Sequence, residues 1–406
     1  MNKLFVRLEQ FVIATYIRLL KEPKQTVYVG NDSTFRIVKE LKKKQAKKVL
    51  VVTDKNIVKL NLIGSLLNTL KSNNINYYVF NEIESEPDIE MVEKGFGSFK
   101  DNSCDSIIAI GGGSVIDCAK VIGARASDPT RSFFKLKRLI GGIKKFSIPF
   151  MAIPTTAGTG SENTLYALIT NRKTKQKYPL FSNKYIPSHV GLDANLTVNL
   201  PLNITAHTGM DALTHAIEAY VSTFSKYFKK DKQEALEALK IIFENLEKVY
   251  MEPTNLKYRE NMAIASYKAG IAFRRISIGY VHNFAHRMGE FYHIPHGLGN
   301  AIILPYILEF MLPKASKPLS EIALYCKLGD KNDNELTLAN KLITKVKELN
   351  NSMKIPIYIK EIQERDYKVL IKRILKEGNM CGNPRLMSKK QCAQVLDKIK
   401  GNRNEK

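Results

Sequence analysis

The chain has 406 residues, 44% of them hydrophobic, which is enough for two domains with ordinary globular cores. Lysine and arginine number 63 against 39 acidic residues, so the net charge is +24. The lysines form short, scattered runs with little aromatic interleaving, which is typical of a solvated basic surface and argues against a specific nucleic-acid site. Five scattered cysteines without a C-x-x-C pair argue against a disulfide framework and favour reduced thiols in a cytoplasm.

Residues 1–25 predict an amphipathic helix that precedes the first domain. A signal peptide is not predicted, because Glu9 and Arg18 interrupt the apolar run and no small-residue cleavage site follows. An apolar stripe usually packs on the protein's own core, and we expect that here, with a membrane surface or a partner as the alternative. No run reaches the roughly 18 to 20 apolar residues of a transmembrane helix. The stripe consists of Leu4, Phe5, Leu8, Phe11, Val12, Tyr16, Leu19 and Leu20.

From Lys48 onward, short apolar runs alternate with segments of helical periodicity. Four of these runs are "KVLVVT", "INYYVF", "SIIAI" and "FSIPFMAIP". Near-continuous apolar strands separated by helices are typical of a parallel sheet that is buried on both faces. Residues 26–198 are therefore predicted to form an α/β domain.

After residue 199 the periodicity becomes helical throughout. Long helices are predicted over 205–250 and 260–290. Shorter ones are predicted over 316–328, 335–350 and 388–399. Residues 199–406 are therefore predicted to form an all-α domain.

A glycine-rich loop follows the strand "SIIAI". Gly111, Gly112, Gly113 and Ser114 lie between that strand and a helix, where the free main-chain N–H groups and the positive end of the helix dipole attract phosphate. The loop is neither G-x-G-x-x-G nor a Walker loop, and the same residues also occur in plain turns. A phosphate cradle and a simple turn both remain open on this pattern alone.

Two further stretches are candidates for a dinucleotide site. Asp54 ends the strand in "VLVVTD", where a carboxylate accepts bonds from the ribose 2′-hydroxyl of NAD and repels the extra phosphate of NADP. Capping of the following helix is the alternative role, and the acid precedes the glycines, in reverse of the common order. The segment 153–164, "IPTTAGTGSENT", places hydroxyl and glycine residues after another strand.

Four of the seven histidines lie within "VHNFAHRMGEFYHIPHG", residues 281–297. His282 and His286 share a helical face, as do Asp211 and His215 upstream, and His296 follows a proline. A carboxylate and several imidazoles on two helices form a suitable set for a divalent metal such as iron, zinc, nickel or manganese. Spacing alone does not decide which histidines are ligands. His207 and His293 are candidates on the same terms.

The motifs "GGGSVIDCAK", "IPTTAGTGSE", "TGMDALTHAIEAYVS" and "GYVHNFAHRMGEFYHIPHGLGNAIILP" resemble the iron-containing alcohol dehydrogenase family. The resemblance runs from Lys48 to the "NPR" at 383–385. It implies an N-terminal dinucleotide-binding α/β domain followed by a helical metal domain, as in dehydroquinate synthase-like architectures. It also implies the metal ligands Asp211, His215, His282 and His296.

The same resemblance assigns the remaining roles. His286 would be a non-ligand histidine that relays the alcohol proton. Asp54 would favour NAD over NADP, and Lys177 lies roughly where the family places a cofactor-contacting lysine. The other residues implied at the cofactor are Gly112, Gly113, Ser114, Asp117, Thr155, Thr156 and Thr159.

The implied activity is oxidation of small primary alcohols or diols, or reduction of aldehydes, with Fe(II) or another divalent metal such as Zn(II). A homodimer or larger homo-oligomer is expected. A glycerol-type polyol dehydrogenase and a hydroxyacid-oxoacid transhydrogenase are alternatives on the same fold, and a catalytically inactive basic binding protein is the alternative of another class. The chain departs from the family pattern at "LDANLT" and "TNRKT" and in its N-terminal helix, none of which touches an implied ligand.

Overall fold

The structure is a computed structural model that describes residues 3–20, 22–84, 86–136, 143, 146–174 and 176–401. The chain divides into two compact units. The helical unit contains Met1–Leu20, Leu200–Pro253 and Lys268–Lys406, and the α/β unit contains Lys21–Asn199 and Thr254–Tyr267.

The predicted domain limits 1–25, 26–198 and 199–406 stay a prediction. The units differ from them in two places. The N-terminal helix groups with the helical unit, and residues 254–267 group with the α/β unit.

Eight strands and fifteen α-helices are formed by the described residues. The strands are β1 (Thr26–Val29), β2 (Lys48–Asp54), β3 (Asn76–Ile83), β4 (Ser106–Gly111), β5 (Phe150–Pro154), β6 (Tyr166–Asn171), β7 (Gln176–Phe181) and β8 (His189–Leu192). The helices are α1 (Lys3–Leu19), α2 (Ser33–Lys43), α3 (Lys55–Lys59), α4 (Gly64–Ser72), α5 (Ile89–Asp101), α6 (Gly113–Ser127), α7 (Phe133–Leu136), α8 (Leu202–Val221), α9 (Lys229–Met251), α10 (Leu256–Phe273), α11 (Tyr280–Tyr292), α12 (His296–Tyr325), α13 (Glu335–Ser352), α14 (Tyr367–Gly378) and α15 (Lys389–Lys400).

Six strands form one parallel sheet in the order β1-β8-β5-β4-β2-β3, and β6 and β7 form a separate antiparallel pair. Side chains of β2 alternate between two cores: Leu50 and Val52 belong to one, Val49 and Val51 to the other. Burial on both faces explains the continuous apolar runs in the sequence. The predicted α/β fold with a parallel sheet is confirmed.

The strand order brings the carboxyl ends of β2 and β4 together. After β2 the chain forms β3 on one side and then β4 on the other side of β2. Because β2 and β4 are parallel neighbours, Asp54 and Gly111 end their strands at the same edge. Ligands of open α/β sheets bind outside such a reversal of strand order.

The two long helices predicted after residue 199 are each interrupted. The segment 205–250 forms α8 and α9, since the chain leaves helical geometry between Ser222 and Phe228. The segment 260–290 forms α10 and α11, and Gly279 with an extended backbone precedes α11.

Helix α12 is longer than predicted. It begins at His296 and includes Pro305, Pro313 and Pro318, so the predicted helix over 316–328 is its C-terminal part. The sequence also failed to predict α14. Proline disfavours a helix interior, but much of α12 is buried in the core of the helical unit, and this burial stabilises the helix despite its prolines.

Helix α1 packs through the face opposite to the predicted one. Val6, Ala14 and Ile17 are buried together with Gln10. After α14, the Gln10 amide donates to the main-chain oxygens of Asn379 and Cys381. The Arg7 guanidinium donates to those of Asn383 and Pro384, at 2.9 and 3.2 Å. The predicted core stripe is wrong, because its side chains face solvent. The exposed apolar residues of α1 are Leu4, Phe5, Leu8, Phe11, Val12, Tyr16 and Leu19.

None of the helices in the described ranges combines the length and apolar character that a membrane span requires.

Lys120 is fully buried inside the α/β unit. Its Nζ lies 3.3 Å from Asp117 Oδ1 and donates to the Ser161 and Thr164 hydroxyls at 3.1 and 2.8 Å. It also donates to the main-chain oxygen of Tyr166 at 2.7 Å. Burial lowers the pKa of Lys120, and the Asp117 carboxylate opposes that shift. The ammonium therefore joins α6 to the segment after β5.

Replacing Lys120 with methionine should lower the free energy of unfolding by about 3 kcal/mol, because Asp117 loses its buried partner. Urea unfolding followed by circular dichroism measures this change. Lys42→Met, at an exposed position, is the control and should change the free energy of unfolding by less than about 0.5 kcal/mol. If the Lys120→Met protein and its parent have equal free energies of unfolding, the contacts of Lys120 make no net contribution to stability.

Candidate metal centre

One face of α8 carries Asp211, His215 and Glu218. Their i, i+4 and i+7 spacing places them on one side of the helix, and all three are buried. Helix α11 presents His282 and His286 in the same way, and His282 is buried. The helical periodicity of the two segments thus directs a carboxylate and imidazoles into one interior site.

Three of the four implied ligands come together. One ligand atom from each of Asp211, His215 and His282 lies within 4.8 Å of the other two. Asp211 Oδ1 is 3.9 Å from His215 Nδ1 and 3.6 Å from His282 Nε2. The rings of His215 and His282 stack with their centres 4.4 Å apart. The Phe273 ring also stacks on His215, with the two ring centres 4.1 Å apart. The two imidazoles are therefore fixed beside the carboxylate.

His296 approaches the same carboxylate from the start of α12. Its Nε2 lies 3.6 Å from Asp211 Oδ1, and its ring centre is 5.4 Å from that of His282. The side chain of His296 is 41% exposed, in contrast to the buried trio. Asn300, one turn further along α12, places its amide nitrogen 2.7 Å from Asp211 Oδ1 and 3.2 Å from His296 Nε2. Asn300 therefore links the fourth implied ligand to Asp211.

Glu218 holds the start of α11 in place. Its carboxylate accepts hydrogen bonds from the main-chain N–H groups of Gly279 and Val281, both at 2.6 Å, and from His282 Nδ1 at 2.7 Å. With Nδ1 bonded to Glu218, the other ring nitrogen of His282 faces Asp211. Within the described residues, this buried Nε2 has no hydrogen-bond partner.

The carboxylates around His282 set its protonation. Burial lowers the pKa of His282, but the charges of Asp211 and Glu218 and the hydrogen bond to Glu218 outweigh this effect and raise the pKa to about 9. Burial raises the pKa of Asp211, and the surrounding histidines lower it by more, so its pKa falls well below the usual range. Without a metal, an imidazolium thus pairs with a carboxylate at this site.

His286 has a different partner. Its Nδ1 lies 2.7 Å from Glu377 Oε1, and Glu377 Oε2 accepts from Arg287 at 3.1 Å. Burial raises the pKa of Glu377, and interactions with the neighbouring His286 and Arg287 side chains lower it by more. The His286 ring centre is 5.4 Å from that of His296, and its side chain is partly exposed. This histidine lies at the edge of the centre and is oriented by a carboxylate.

The other two histidine candidates are not among the three residues that come together. His207 lies one turn before Asp211 on α8, and its main-chain oxygen packs so closely on Gly297 that a Cβ there would lie 2.4 Å away. His293 is an exposed residue with left-handed backbone geometry that ends α11.

In the α/β unit, the glycine loop forms the start of α6. Gly112 precedes the helix with an extended backbone, and a Cβ on Gly113 would lie 2.6 Å from the Thr159 hydroxyl. Thr155 is buried and donates its N–H to the Gly111 oxygen at 3.0 Å. The implied residues Gly112, Gly113, Ser114, Thr155, Thr156 and Thr159 thus lie around the ends of β4 and β5.

Asp54, Asp117 and Lys177 have protein partners. Asp54 caps α3 by accepting at Oδ1 from the N–H groups of Asn56 and Ile57, at 2.8 and 3.1 Å. The capping alternative is therefore realised. Asp117 accepts at Oδ2 from the Leu168 N–H at 2.9 Å and at Oδ1 from the Ser161 hydroxyl.

Lys177 lies on β7, where its Nζ contacts Glu86 Oε1 at 2.6 Å. The roles implied for these three residues at the cofactor stay predictions.

Sequence reasoning missed Glu218, Glu377 and Asn300. Glu218 stands three residues after His215, so the helical spacing that related Asp211 to His215 already included it. Asn300 likewise follows His296 by four residues on α12. Glu377 carries no such signal, because α14 is distant from α11 in sequence.

Two family models match the chain. "Iron-containing alcohol dehydrogenase" covers residues 23–194, and the C-terminal model of the Fe-containing alcohol dehydrogenase family covers residues 205–400. The chain belongs to the iron-containing alcohol dehydrogenase family. The predicted family, its two-part fold and its activity class, an alcohol oxidoreductase, are confirmed.

Relatives with curated names agree. The chain is 35% identical over 384 residues to the NADPH-dependent butanol dehydrogenase of Clostridium saccharobutylicum, covering 91% of this chain and 95% of that one. It is 31% identical over 370 residues to the NAD-dependent methanol dehydrogenase of Bacillus methanolicus, covering 91% and 96%. A solved structure of 1,3-propanediol oxidoreductase is similar with a TM-score of 0.86 and 32% identity, covering 93% of this chain and 99% of that one.

In metal-free protein, the contribution of His282 to stability should decline as pH rises through about 9. A raised pKa gives stability that is complete below the unfolded value of about 6.5 and is lost as pH passes the folded value. Nuclear magnetic resonance titration of the imidazole measures the pKa, and urea unfolding at several pH values measures the stability.

Glu218→Gln should lower the pKa of His282 and flatten this profile, because the acceptor loses its charge. Glu348→Gln, at an exposed position, is the control and should change neither. Titration of the parent His282 near 6.5 would contradict the arrangement.

Proposed function

We propose that this chain is a metal-dependent, NAD-linked alcohol dehydrogenase and aldehyde reductase that acts on small primary alcohols or diols. The observation that carries the proposal is the convergence of Asp211, His215 and His282 within 4.8 Å, with Glu218 holding the last of them. Fe(II) is the proposed metal and Zn(II) the alternative. The proposed ligands are Asp211, His215, His282 and His296.

The residues present fit a divalent cation. A carboxylate oxygen with imidazole nitrogens suits the borderline metals iron and zinc. His282 Nε2 is buried and lacks a hydrogen-bond partner among the described residues, and an atom in that position needs either a proton donor, an acceptor or a metal. The Glu218 bond to Nδ1 is the outer contact that metal-ligating histidines commonly have.

When bound, the metal supplies a Lewis acid that polarises the alcohol or carbonyl oxygen. The chain supplies the setting. Stacking between Phe273 and His215, and between His215 and His282, fixes the planes of the two imidazoles. Asn300 holds the Asp211 carboxylate by donating to its Oδ1. Glu218 prevents rotation of the His282 ring.

We assign the proton transfer to His286. Glu377 fixes its Nδ1, which leaves Nε2 to exchange a proton with substrate or water. Arg287 holds the second oxygen of Glu377, so the carboxylate cannot turn away. Partial exposure of the His286 side chain gives the proton access to solvent.

The dinucleotide is proposed to bind at the carboxyl edge of the sheet, with its pyrophosphate at Gly112, Gly113 and Ser114. The positive end of the α6 dipole lies there and attracts phosphate. Thr155, Thr156 and Thr159 would lie toward the ribose and nicotinamide, with Asp117 and Lys177 as the further implied contacts. Asp54 is proposed to favour NAD, since both of its capping bonds use Oδ1 and its Oδ2 is not used in capping.

A cytoplasmic location and a homodimer or larger homo-oligomer complete the proposal. The five free cysteines, four of them buried, support a cytoplasmic location. The limits 26–198 and 199–406 are proposed for the dinucleotide and metal domains.

The test is to purify the protein anaerobically, load Fe(II) or Zn(II), and follow NADH and NADPH oxidation with short aldehydes. Metal content and activity should fall together in His282→Ala, with activity lowered by on the order of a hundredfold or more. His293→Ala is the matched control and should retain both. Metal bound at one ion per chain without turnover of either cofactor would favour the inactive binding protein. Turnover only with the cofactor retained on the protein would favour a transhydrogenase.

His286→Asn should lower kcat by on the order of a hundredfold while leaving metal content unchanged, because it removes the proton relay and no ligand. Steady-state kinetics and metal analysis of the same sample measure both quantities. Glu377→Gln, which keeps a hydrogen-bond acceptor, should be affected less. Loss of the metal in His286→Asn would place this histidine among the ligands and contradict its assignment.

Asp54→Asn should raise kcat/KM for NADPH relative to NADH by on the order of tenfold, since it removes the negative charge that repels the 2′-phosphate. Asparagine caps a helix about as well as aspartate, so α3 should remain intact. Asp101→Asn, at an exposed position on α5, is the control. An unchanged ratio would limit Asp54 to capping.

A further inference from the structure

Helix α1 exposes an apolar face that the proposed function does not use. Leu4 is 76% exposed and Leu19 is 80% exposed, and Leu8, Val12 and Phe5 lie between them at more than half exposure. Elsewhere in the described residues, no helix exposes more than two large hydrophobic side chains. The face is therefore a local concentration of apolar surface and not the scatter expected of a protein surface.

This face carries no charge along its centre. Thr15 is its polar residue, and the Thr15 hydroxyl is satisfied by donating to the Phe11 oxygen of the same helix at 2.8 Å. Glu9 and Arg18 lie at the margins of the face by helical spacing. The opposite face is anchored to the protein by Arg7 and Gln10, so α1 is held with its apolar side outward.

Basic side chains border the apolar face. Phe11 packs edge-on against Tyr227 with ring centres 6.4 Å apart, and the Lys226 ammonium lies 4.8 Å from the same tyrosine ring. Lys229 and Lys230 follow at the start of α9, and all three lysines are exposed. The apolar strip thus adjoins the segment that carries these three exposed lysines.

We propose that α1 lies in the surface of an anionic lipid bilayer, with its apolar side chains among the lipid tails and Lys226, Lys229 and Lys230 at the headgroups. A helix of seventeen residues is about 25 Å long, which suits a segment lying in the plane of the interface. Its apolar face supplies hydrophobic contact, and each nearby lysine adds attraction to anionic lipid.

A second copy of the chain is the competing occupant. Pairing of two chains through this face brings its like charges together, whereas an anionic bilayer complements them and the net charge of +24. The lysine cluster beside the apolar face would repel its equivalent in a symmetric pair about α1. The charge therefore favours the bilayer.

The experiment is co-sedimentation of the full-length protein with vesicles of phosphatidylcholine alone or mixed with phosphatidylserine. It requires neither a bound metal nor enzyme activity. We expect binding to the mixed vesicles that is on the order of tenfold tighter than binding to neutral vesicles and that weakens as salt concentration rises.

Two variants separate the contributions. Leu8→Glu with Val12→Glu should weaken binding to mixed vesicles by on the order of tenfold or more, while leaving the fold intact because both positions are exposed. Leu336→Glu with Ile357→Glu, at exposed positions outside α1, is the matched control and should bind normally. Circular dichroism and thermal unfolding verify that each variant is folded.

Replacing Lys226, Lys229 and Lys230 with glutamine should remove the preference for phosphatidylserine, whereas glutamines at the exposed Lys314, Lys317 and Lys331 should preserve it. Absence of vesicle binding, or binding that the α1 variant leaves unchanged, would overturn the proposal. So would a fall in oligomer size caused by the α1 variant without any vesicle binding, because that result would identify a second copy as the occupant.

Discussion

The three hydrogen bonds accepted by Glu218 are the contact on which the metal centre depends. They join α8, which carries Asp211 and His215, to the first turn of α11, which carries His282. The main-chain N–H groups at the start of a helix have no partner within the helix, and a buried carboxylate satisfies two of them here. The same carboxylate sets the orientation of an imidazole. One buried charge thus fixes both a helix position and the ring that faces Asp211.

Strand order provides the corresponding constraint in the α/β unit. The acid at the end of β2 comes before the glycines in sequence, which reverses the familiar order of a dinucleotide fingerprint. In the sheet this reversal has no consequence, because β4 lies beside β2 on the side away from β3. Asp54 and Gly111 therefore end neighbouring strands. The order of the two residues along the chain therefore does not matter to a ligand, which contacts both at the same edge of the sheet.

The sequence predicted most reliably what short-range periodicity controls. Pairs at i, i+4 placed Asp211 with His215 and His282 with His286 on shared helix faces. Near-continuous apolar runs identified four strands of the parallel sheet, β2 to β5. It failed where distant segments decide the outcome. Glu377, on α14, contacts His286 on α11. The segment between α8 and α9 contains no proline or glycine from which the break could be predicted. Helix α12 gave the opposite error, since only its C-terminal part was predicted although the helix continues through three prolines.

Helix α1 shows the limit of the same reasoning. Periodicity established that one face is apolar, but it contained no information about what that face contacts. Arg7 and Gln10 decided the matter, because their side chains bond main-chain oxygens after α14 that have no helical partner, and so the more polar face of α1 is turned inward. The apolar face is then left outward beside the lysines of α9. The net charge by itself indicated only a solvated surface. Where basic residues lie beside the exposed apolar face of α1, the same charge favours binding to an anionic bilayer.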